Sequence, residues 1–393
     1  MRVILLISNF SKMNTGIGGH YYSVLATAEA LAEAGHAVRV VCIGDRPSPV
    51  LSRWESGVCD FIPVNARKTA MFLPQFRTLI SEFKPDVIHG FDMNASLFGR
   101  IAALLSRTYY AHTLCGGKAP KGWRHFPFVR NLVVYSAELQ EHFRDAFARD
   151  DRNLALIANR VRAVTSPEER LSLFREHITP GALVILRISR IHPYFERSIR
   201  QTLSLGKLLR SQGVKCQVVI LGHASDAGSM ERIKAILPEE DRLVSDPELA
   251  HNAKELNGAA DWVVGTGRSF MEAASLGKVM LCPSADQDLP ILITPQTFDA
   301  AFAANFSERV TVDLSEEANR AEIIKEAKKE EKESALASLS KEYFETHFSI
   351  DRLAQKYEKF YAKLQASCVG DFKDWPIQAA SFLKRNITLK NRY

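Results

Sequence analysis

The chain has no CxxC pair, no apolar run of bilayer length, no GK[ST] phosphate loop and no internal repeat. Each absence removes a class. The six cysteines, at 42, 59, 115, 216, 282 and 368, lack the spacing of a zinc site or a disulfide framework. Cys42, Cys216 and Cys282 fall in apolar runs and are expected to be buried small hydrophobes. No stretch approaches the roughly 20 apolar residues that a membrane helix needs. The first residues run directly into a strand-like segment, without the basic, apolar and small-residue succession of a secretory signal. A cytoplasmic protein is therefore expected. Charge of neither sign dominates: the net charge of +6 and pI near 8.9 suit nucleic acid, an anionic membrane surface or phosphate-bearing small molecules, without choosing among them.

What is present is alternation. The 393 residues leave room for two domains. Apolar strand-like runs at 3–7, 37–43, 87–89, 109–113 and 132–135 alternate with helical periodicity, and the pattern restarts at 183–188, 216–221, 262–264 and 279–282. Continuous apolar runs are what strands buried on both faces require. The expected fold class is α/β, with two doubly wound Rossmann-like domains: residues 1–165, residues 166–345, and a final helix with a basic tail at 346–393. Ligands of open α/β sheets bind beyond the carboxyl ends of the strands, so the cleft between two such domains is the expected site.

The loop after the first run, in "SNFSKMNTGIGGHYYSV" (residues 8–24), carries Gly16, Gly18 and Gly19 before a helical stretch. Glycine lets backbone N–H groups approach an anion, and a helix start adds positive potential. The nicotinamide fingerprint is incomplete, because Tyr21 stands three residues after Gly18 and no acidic residue nearer than Asp45 follows the second strand.

Five segments taken in order carry a family resemblance. They are the "GG" loop with "LAEAGHAVRVVCIG" (31–44), "KPDVIHGFDMNASLFGRIAALL" (84–105), "LALIANRV" (154–161), "ADWVVGTGRSFMEAASLGKVMLCPS" (260–284) and "YEKFYAKL" (357–364). Together they resemble the GT-B glycosyltransferases, and most closely family 4, whose members are retaining and use nucleotide sugars. The resemblance implies an acceptor-binding first domain, a donor-binding second domain and a terminal helix that crosses back. It implies that Glu272 accepts hydrogen bonds from the ribose hydroxyls, while Gly265, Thr266, Gly267, Arg268 and Ser269 receive the diphosphate at a helix start. Gly16, Gly18, Gly19 and Gly222 belong to the same expected donor site. A second family glutamate, eight positions before Glu272, is replaced by Val264.

The leaving diphosphate needs positive charge, which this family supplies with basic side chains rather than a metal. "ILRISRIHPYFERS" offers Arg187, Arg190 and Arg197, of which Arg190 and Arg197 are the expected pair. The acidic pair Asp286 and Asp288 is read as coincidence, and no metal is expected. The family's histidine near the transferring sugar falls at Cys115 by strict spacing, with His112 three residues earlier, so both are kept as catalytic candidates. His89, Asp92, Gly116, Gly117 and Lys118 are the acceptor-side candidates. Two stretches of the acceptor domain, residues 67–77 and 118–130, interleave basic and aromatic residues, which suits an anionic lipid interface, stacked single-stranded nucleic acid, or plain core packing with solvated charges.

The expected function is transfer of a hexose from a UDP- or GDP-linked donor, held as substrate without a cofactor, to a surface polysaccharide or lipid-linked glycan, at the cytoplasmic face of a membrane. The alternatives are a GT-B nucleotide-sugar epimerase and a catalytically degenerate nucleotide-sugar-binding protein. A phosphorylase is disfavoured for want of a well-placed lysine, and nucleic-acid binding for want of a recognition motif.

Overall fold

The structure, a computed structural model, describes residues 1–10, 16–64, 72–120, 126–224, 227–250, 252–329 and 334–387. The chain divides into two compact units, residues 1–160 with 350–393, and residues 161–349.

Unit 1 begins with β1 (Arg2–Asn9), α1 (Gly19–Glu33), β2 (Ala37–Gly44), β3 (Val58–Pro63), α2 (Phe72–Phe83), β4 (Val87–Gly90), α3 (Met93–Ser106), β5 (Tyr109–Leu114), β6 (Asn131–Val134), α4 (Ala137–Arg149) and β7 (Asn153–Leu156). The strands form one parallel sheet in the order β3-β2-β1-β4-β5-β6-β7. Residues of β1 alternate between two apolar cores, with Val3, Leu5 and Ile7 on one face and Ile4 and Leu6 on the other, which is why the run is continuously apolar.

Unit 2 repeats the scheme: α5 (Glu168–Arg175), β8 (Leu183–Ile188), α6 (Glu196–Ser211), β9 (Cys216–Leu221), α7 (Ala227–Lys234), β10 (Arg242–Val244), α8 (Pro247–Ala250), β11 (Trp262–Val264), α9 (Arg268–Ala274), β12 (Val279–Cys282), β13 (Ile291–Leu292), α10 (Phe298–Ala303), α11 (Glu316–Ala327) and α12 (Ala335–Tyr343). Its sheet runs β10-β9-β8-β11-β12-β13, parallel except for the antiparallel β13 at one edge.

The chain then returns to unit 1 as α13 (Leu353–Tyr361) and α14 (Trp375–Ile387). Leu353, Ala354, Tyr357, Phe360 and Tyr361 recur at helical spacing and bury one face of α13 in the core that contains Val3, Leu5 and Ile7. A large apolar side chain such as Leu353 or Phe360 contributes roughly 1.5–3 kcal/mol when fully buried. α14 is fastened by a buried ion pair, Arg100 to Asp374 at 2.9 Å, whose carboxylate also accepts from the Phe128 backbone.

The short strands β3, β7, β10 and β13 are absent from the pattern expected above. All are edge strands or next to one, and half-exposed sequences such as VCDFIP lack the continuous apolar signature. In both sheets the strand order reverses beside the first strand, between β1 and β4 and between β8 and β11. These switch points are where open sheets hold ligands. The strand that follows each first strand has a glycine pressed against its neighbour, at its last residue in β2 and just after it in β9: a Cβ on Gly44 would lie 1.9 Å from the Asn9 carbonyl, and one on Gly222 would lie 1.9 Å from that of Ser189.

Candidate functional site

At the carboxyl end of the unit 2 sheet, β11 leads through Gly265, Thr266 and Gly267 into α9. A Cβ on Gly265 would meet the Phe270 backbone at 2.6 Å, so only glycine lets the loop fold back on its own helix. Gly267, at φ 49° and ψ −119°, takes the cap position and supplies no capping side chain. Ser269 closes the turn: its hydroxyl accepts from the Thr266 N–H at 3.1 Å and donates to the Thr266 carbonyl at 3.0 Å. One turn into α9, Glu272 is half-buried, and its Oε1 accepts from Arg268 Nη2 at 3.1 Å. The arrangement offers uncapped backbone N–H groups to an anion beside a carboxylate able to accept from hydroxyls.

The arginines divide by role. Arg190, just beyond β8, is exposed and lies over the Phe195 ring at 5.4 Å. Arg197, at the start of α6, is exposed and donates to the carbonyls of Ala285 and Gln287, the latter at 3.3 Å, which fixes it to the loop after β12. Arg187 is wholly buried: Nη1 donates to the Val264 carbonyl at 3.0 Å, Nη2 to Ser198 Oγ at 2.9 Å and to Glu308 Oε1 at 3.3 Å. Burial holds the Arg187 pKa below its ordinary value and raises that of the Glu308 carboxyl. Glu308 lies in a loop and carried no sequence signal. Asp286 accepts from Ser284 Oγ at 2.7 Å. Gly222 is a packing requirement at the end of β9, and residues 225 and 226 of the loop after it lie outside the described residues.

Unit 1 corrects several expectations. His89 is fully buried, and both ring nitrogens are taken, Nδ1 by the Tyr361 hydroxyl at 2.8 Å and Nε2 by Thr113 Oγ1 at 2.7 Å. It braces α13 instead of facing a ligand, and burial drives its pKa well below the ordinary value. His112 is 1% exposed, bonded to the Tyr110 hydroxyl at 3.1 Å and edge-on to Phe126, and burial lowers its pKa to about 3. It is a core residue, closed off from any transferring sugar. Asp92 is spent as the cap of α3: its carboxylate accepts from the N–H groups of Asn94, Ala95 and Ser8 and from Ser8 Oγ, at 2.6–2.9 Å. Cys115 is a thiol, pushed up to about 12 by burial, with its Sγ 3.6 Å from the Phe91 carbonyl.

The glycines fare differently. Gly16 takes φ 78° and its carbonyl accepts from Ser48 Oγ at 2.6 Å. Gly18 caps α1 without a side chain and Gly19 opens the helix, so that helix start is uncapped too. Gly116 and Gly117 take φ 107° and 100° beyond β5, with Lys118 exposed after them. Of the basic-aromatic stretches, Phe72, Phe76 and Phe126 are core residues, which leaves them unavailable to a partner. Arg67, Lys68, Met71, Lys121, Trp123 and Arg124 lie outside the described residues.

Residues 18–179 match the model of the Glycosyl transferase 4-like domain. A 107-residue stretch is 36% identical to UDP-N-acetylglucosamine–N-acetylmuramyl-(pentapeptide) pyrophosphoryl-undecaprenol N-acetylglucosamine transferase of Shewanella loihica, covering 24% of this chain and 29% of that relative. Among solved structures, HepE of Anabaena, in complex with UDP and glucose, superposes with a TM-score of 0.65 at 14% identity, over 92% of this chain and 100% of that one. Sucrose-phosphate synthase of Thermosynechococcus elongatus gives 0.61 at 16% identity, over 92% and 99%. The chain has the GT-B fold, and what its first half resembles is a glycosyl transferase 4-like domain.

Proposed function

We propose that the protein is a glycosyltransferase that takes a hexose from a UDP- or GDP-linked donor held on unit 2 and delivers it to a hydroxyl of a surface polysaccharide or lipid-linked glycan. The observation that carries the reading is the uncapped Gly265–Thr266–Gly267 turn with Glu272 one helical turn beyond it, at the switch point of a parallel sheet. The HepE structure solved with UDP and glucose, and the undecaprenol-linked acceptor in the name of the Shewanella relative, support the two substrate classes. Retention of configuration and freedom from metal and cofactor rest on the family resemblance. In this reading Glu272 holds the ribose, the turn receives the diphosphate, and Arg190 and Arg197 offset the charge that grows as the sugar–phosphate bond breaks. Removing one such fixed donor from a preorganised site typically costs about 100- to 1000-fold in rate.

Contact with an anionic membrane is part of the proposal. Among the described residues no helix is long and apolar enough to cross a membrane. α14, however, exposes Trp375, Pro376, Ala380 and Leu383 while Gln378 and Phe382 are buried, so its outward side is apolar. Residues 384–393 then carry Lys384, Arg385, Lys390 and Arg392 and no acid. Flotation with phosphatidylglycerol vesicles tests this: binding should fall with salt and with Leu383→Asp.

The test of the activity is to supply UDP- and GDP-sugars, with and without a lipid-linked acceptor, and to follow nucleoside diphosphate release. Acceptor-dependent release that EDTA does not suppress is the expected result. An epimerised donor identifies the epimerase reading. Donor binding without turnover identifies a degenerate binding protein, a second reading favoured by the burial of His89 and His112.

A further inference from the structure

The segment after α10 turns sharply through two left-handed residues. Asn305 and Phe306 sit at φ 54° and 50°, two consecutive non-glycine residues in the left-handed region. Asn305 is the left-handed residue that ends α10: its N–H donates to the Phe302 carbonyl at 2.9 Å and the Phe306 N–H to the Ala301 carbonyl at 2.8 Å, a helix stop that asparagine accommodates. For the bulky Phe306 the same region costs on the order of 1–3 kcal/mol and persists only where the surroundings over-determine it. The packing of Phe306 provides that determination. It is fully buried, stacked on Phe270 of α9 at 3.8 Å and 5°, and edge-on to Phe348. Held this way, the bend brings Asn305 over the donor loop: its Nδ2 lies 3.6 Å from where a Cβ on Gly267 would stand. Asn305 is half-buried, and its side-chain amide has no hydrogen-bond partner among the described residues.

Two residues beyond Phe306, Glu308 is tied to the same strand end through Arg187. The buried Arg187 bonds both to Glu308 Oε1 and to the carbonyl of Val264, the last residue of β11. Val264 occupies the position of the family's second glutamate, and its side chain is wholly buried in the core that includes Ile199 and Leu203. A carboxylate cannot be offered from there without entering that core. Glu308, with 16% of its side chain exposed, is a carboxylate held next to that strand end by a fixed charge.

We propose that Asn305 and Glu308 contact the hydroxyl groups of the donor's sugar, in place of the carboxylate that residue 264 does not provide. The proposal rests on the reading that unit 2 binds a nucleotide sugar. An amide that both donates and accepts at the loop, with a carboxylate that accepts at the strand end three residues before it, is a suitable pair for sugar hydroxyls. The helix stop, pinned by the stacked Phe306, then holds the amide at the loop before the sugar arrives.

The test is calorimetric titration of the full chain with UDP, GDP, UDP-glucose, UDP-galactose, UDP-N-acetylglucosamine and GDP-mannose. Two variants are compared with wild type. Asn305→Gly removes the amide and suits the φ angle, so its melting temperature should be unchanged or higher. Glu308→Gln keeps the shape beside Arg187. In each, the Kd for the nucleoside diphosphate should stay within twofold of wild type, while the Kd for the matching nucleotide sugar rises at least tenfold. Equal weakening of both ligands, or no change in either, overturns the proposal and leaves unit 2 as a nucleotide site. A wild-type chain that binds none of the six overturns the donor-site reading itself, and this proposal with it.

Discussion

The turns after β4 and after β11 occupy matching places in the two sheets, and they end differently. Each leaves the strand beside the switch point through a tightly packed glycine: a Cβ on Gly90 would meet the Tyr110 hydroxyl at 2.3 Å, and one on Gly265 the Phe270 backbone at 2.6 Å. Each then reaches a helix cap two residues later. In unit 1 the cap is Asp92, whose carboxylate satisfies two N–H groups of α3 and also seals the end of β1 through Ser8. In unit 2 the cap is Gly267, which satisfies nothing with a side chain. One turn has brought its own anion. The other leaves room for a foreign one. The same scaffold is thus closed in one copy and open in the other, and the difference is one residue's side chain.

Substitutions at these two caps should have opposite consequences. The largest effect is expected from Gly267→Asp, which gives unit 2 the closure of unit 1. A carboxylate there competes with a diphosphate and strains a backbone that favours glycine, so nucleotide affinity should fall by about 100-fold or more, equivalent to roughly 3 kcal/mol. Isothermal titration checks it, and Gly267→Ala isolates the strain alone. The reciprocal change, Asp92→Ala, should leave nucleotide affinity within twofold but lower stability by about 1–3 kcal/mol, because it removes a cap and orphans Ser8. Urea unfolding gives that value.

The two units should also separate by pH. His89 and His112 are neutral in the fold and are the only fully buried histidines among the described residues. Both folded pKa values lie below the ordinary 6.5, that of His112 at about 3. Below pH 6.5 the unfolded chain therefore binds protons that the folded chain refuses. The stability these residues give unit 1 is complete above pH 6.5 and is lost as pH falls from there through the folded values, by up to about 1.4 kcal/mol per pH unit for each histidine. Limited proteolysis at pH 7 and pH 5 should open unit 1 before unit 2, and His112→Phe should reduce the contrast. The smallest effect is expected at Cys115: the thiol is held neutral, so Cys115→Ser should change turnover by less than twofold.

Legibility in the sequence follows the same division. The doubly wound fold was readable because strands buried on two faces are continuously apolar, as β1, β8 and β9 are. The turn before α9, with Glu272 one turn into the helix, was readable because glycines at 265 and 267 are local signals with local causes. The acceptor side was not. A histidine that faces a ligand and one that braces a helix are the same letter, and what consumes His89 is Tyr361, 272 residues away. The capping role of Asp92 was hidden for a similar reason, since whether a carboxylate after a strand is claimed as a cap depends on residues such as Ser8, 84 positions away. Glu308 could not be seen at all, because only the fold brings it to Arg187.

The most direct test of the account is thermal unfolding of wild type and Glu272→Ala with UDP, GDP and ADP, each with and without EDTA. A ligand that binds only the native state raises the midpoint by mass action. The account predicts that one nucleoside diphosphate raises the wild-type midpoint equally with and without EDTA, and that Glu272→Ala abolishes the shift while keeping the midpoint of the free protein. An equal shift in both proteins would place the nucleotide elsewhere, and no shift in wild type with any of the three would contradict the claim that the open turn of unit 2 is a nucleotide site.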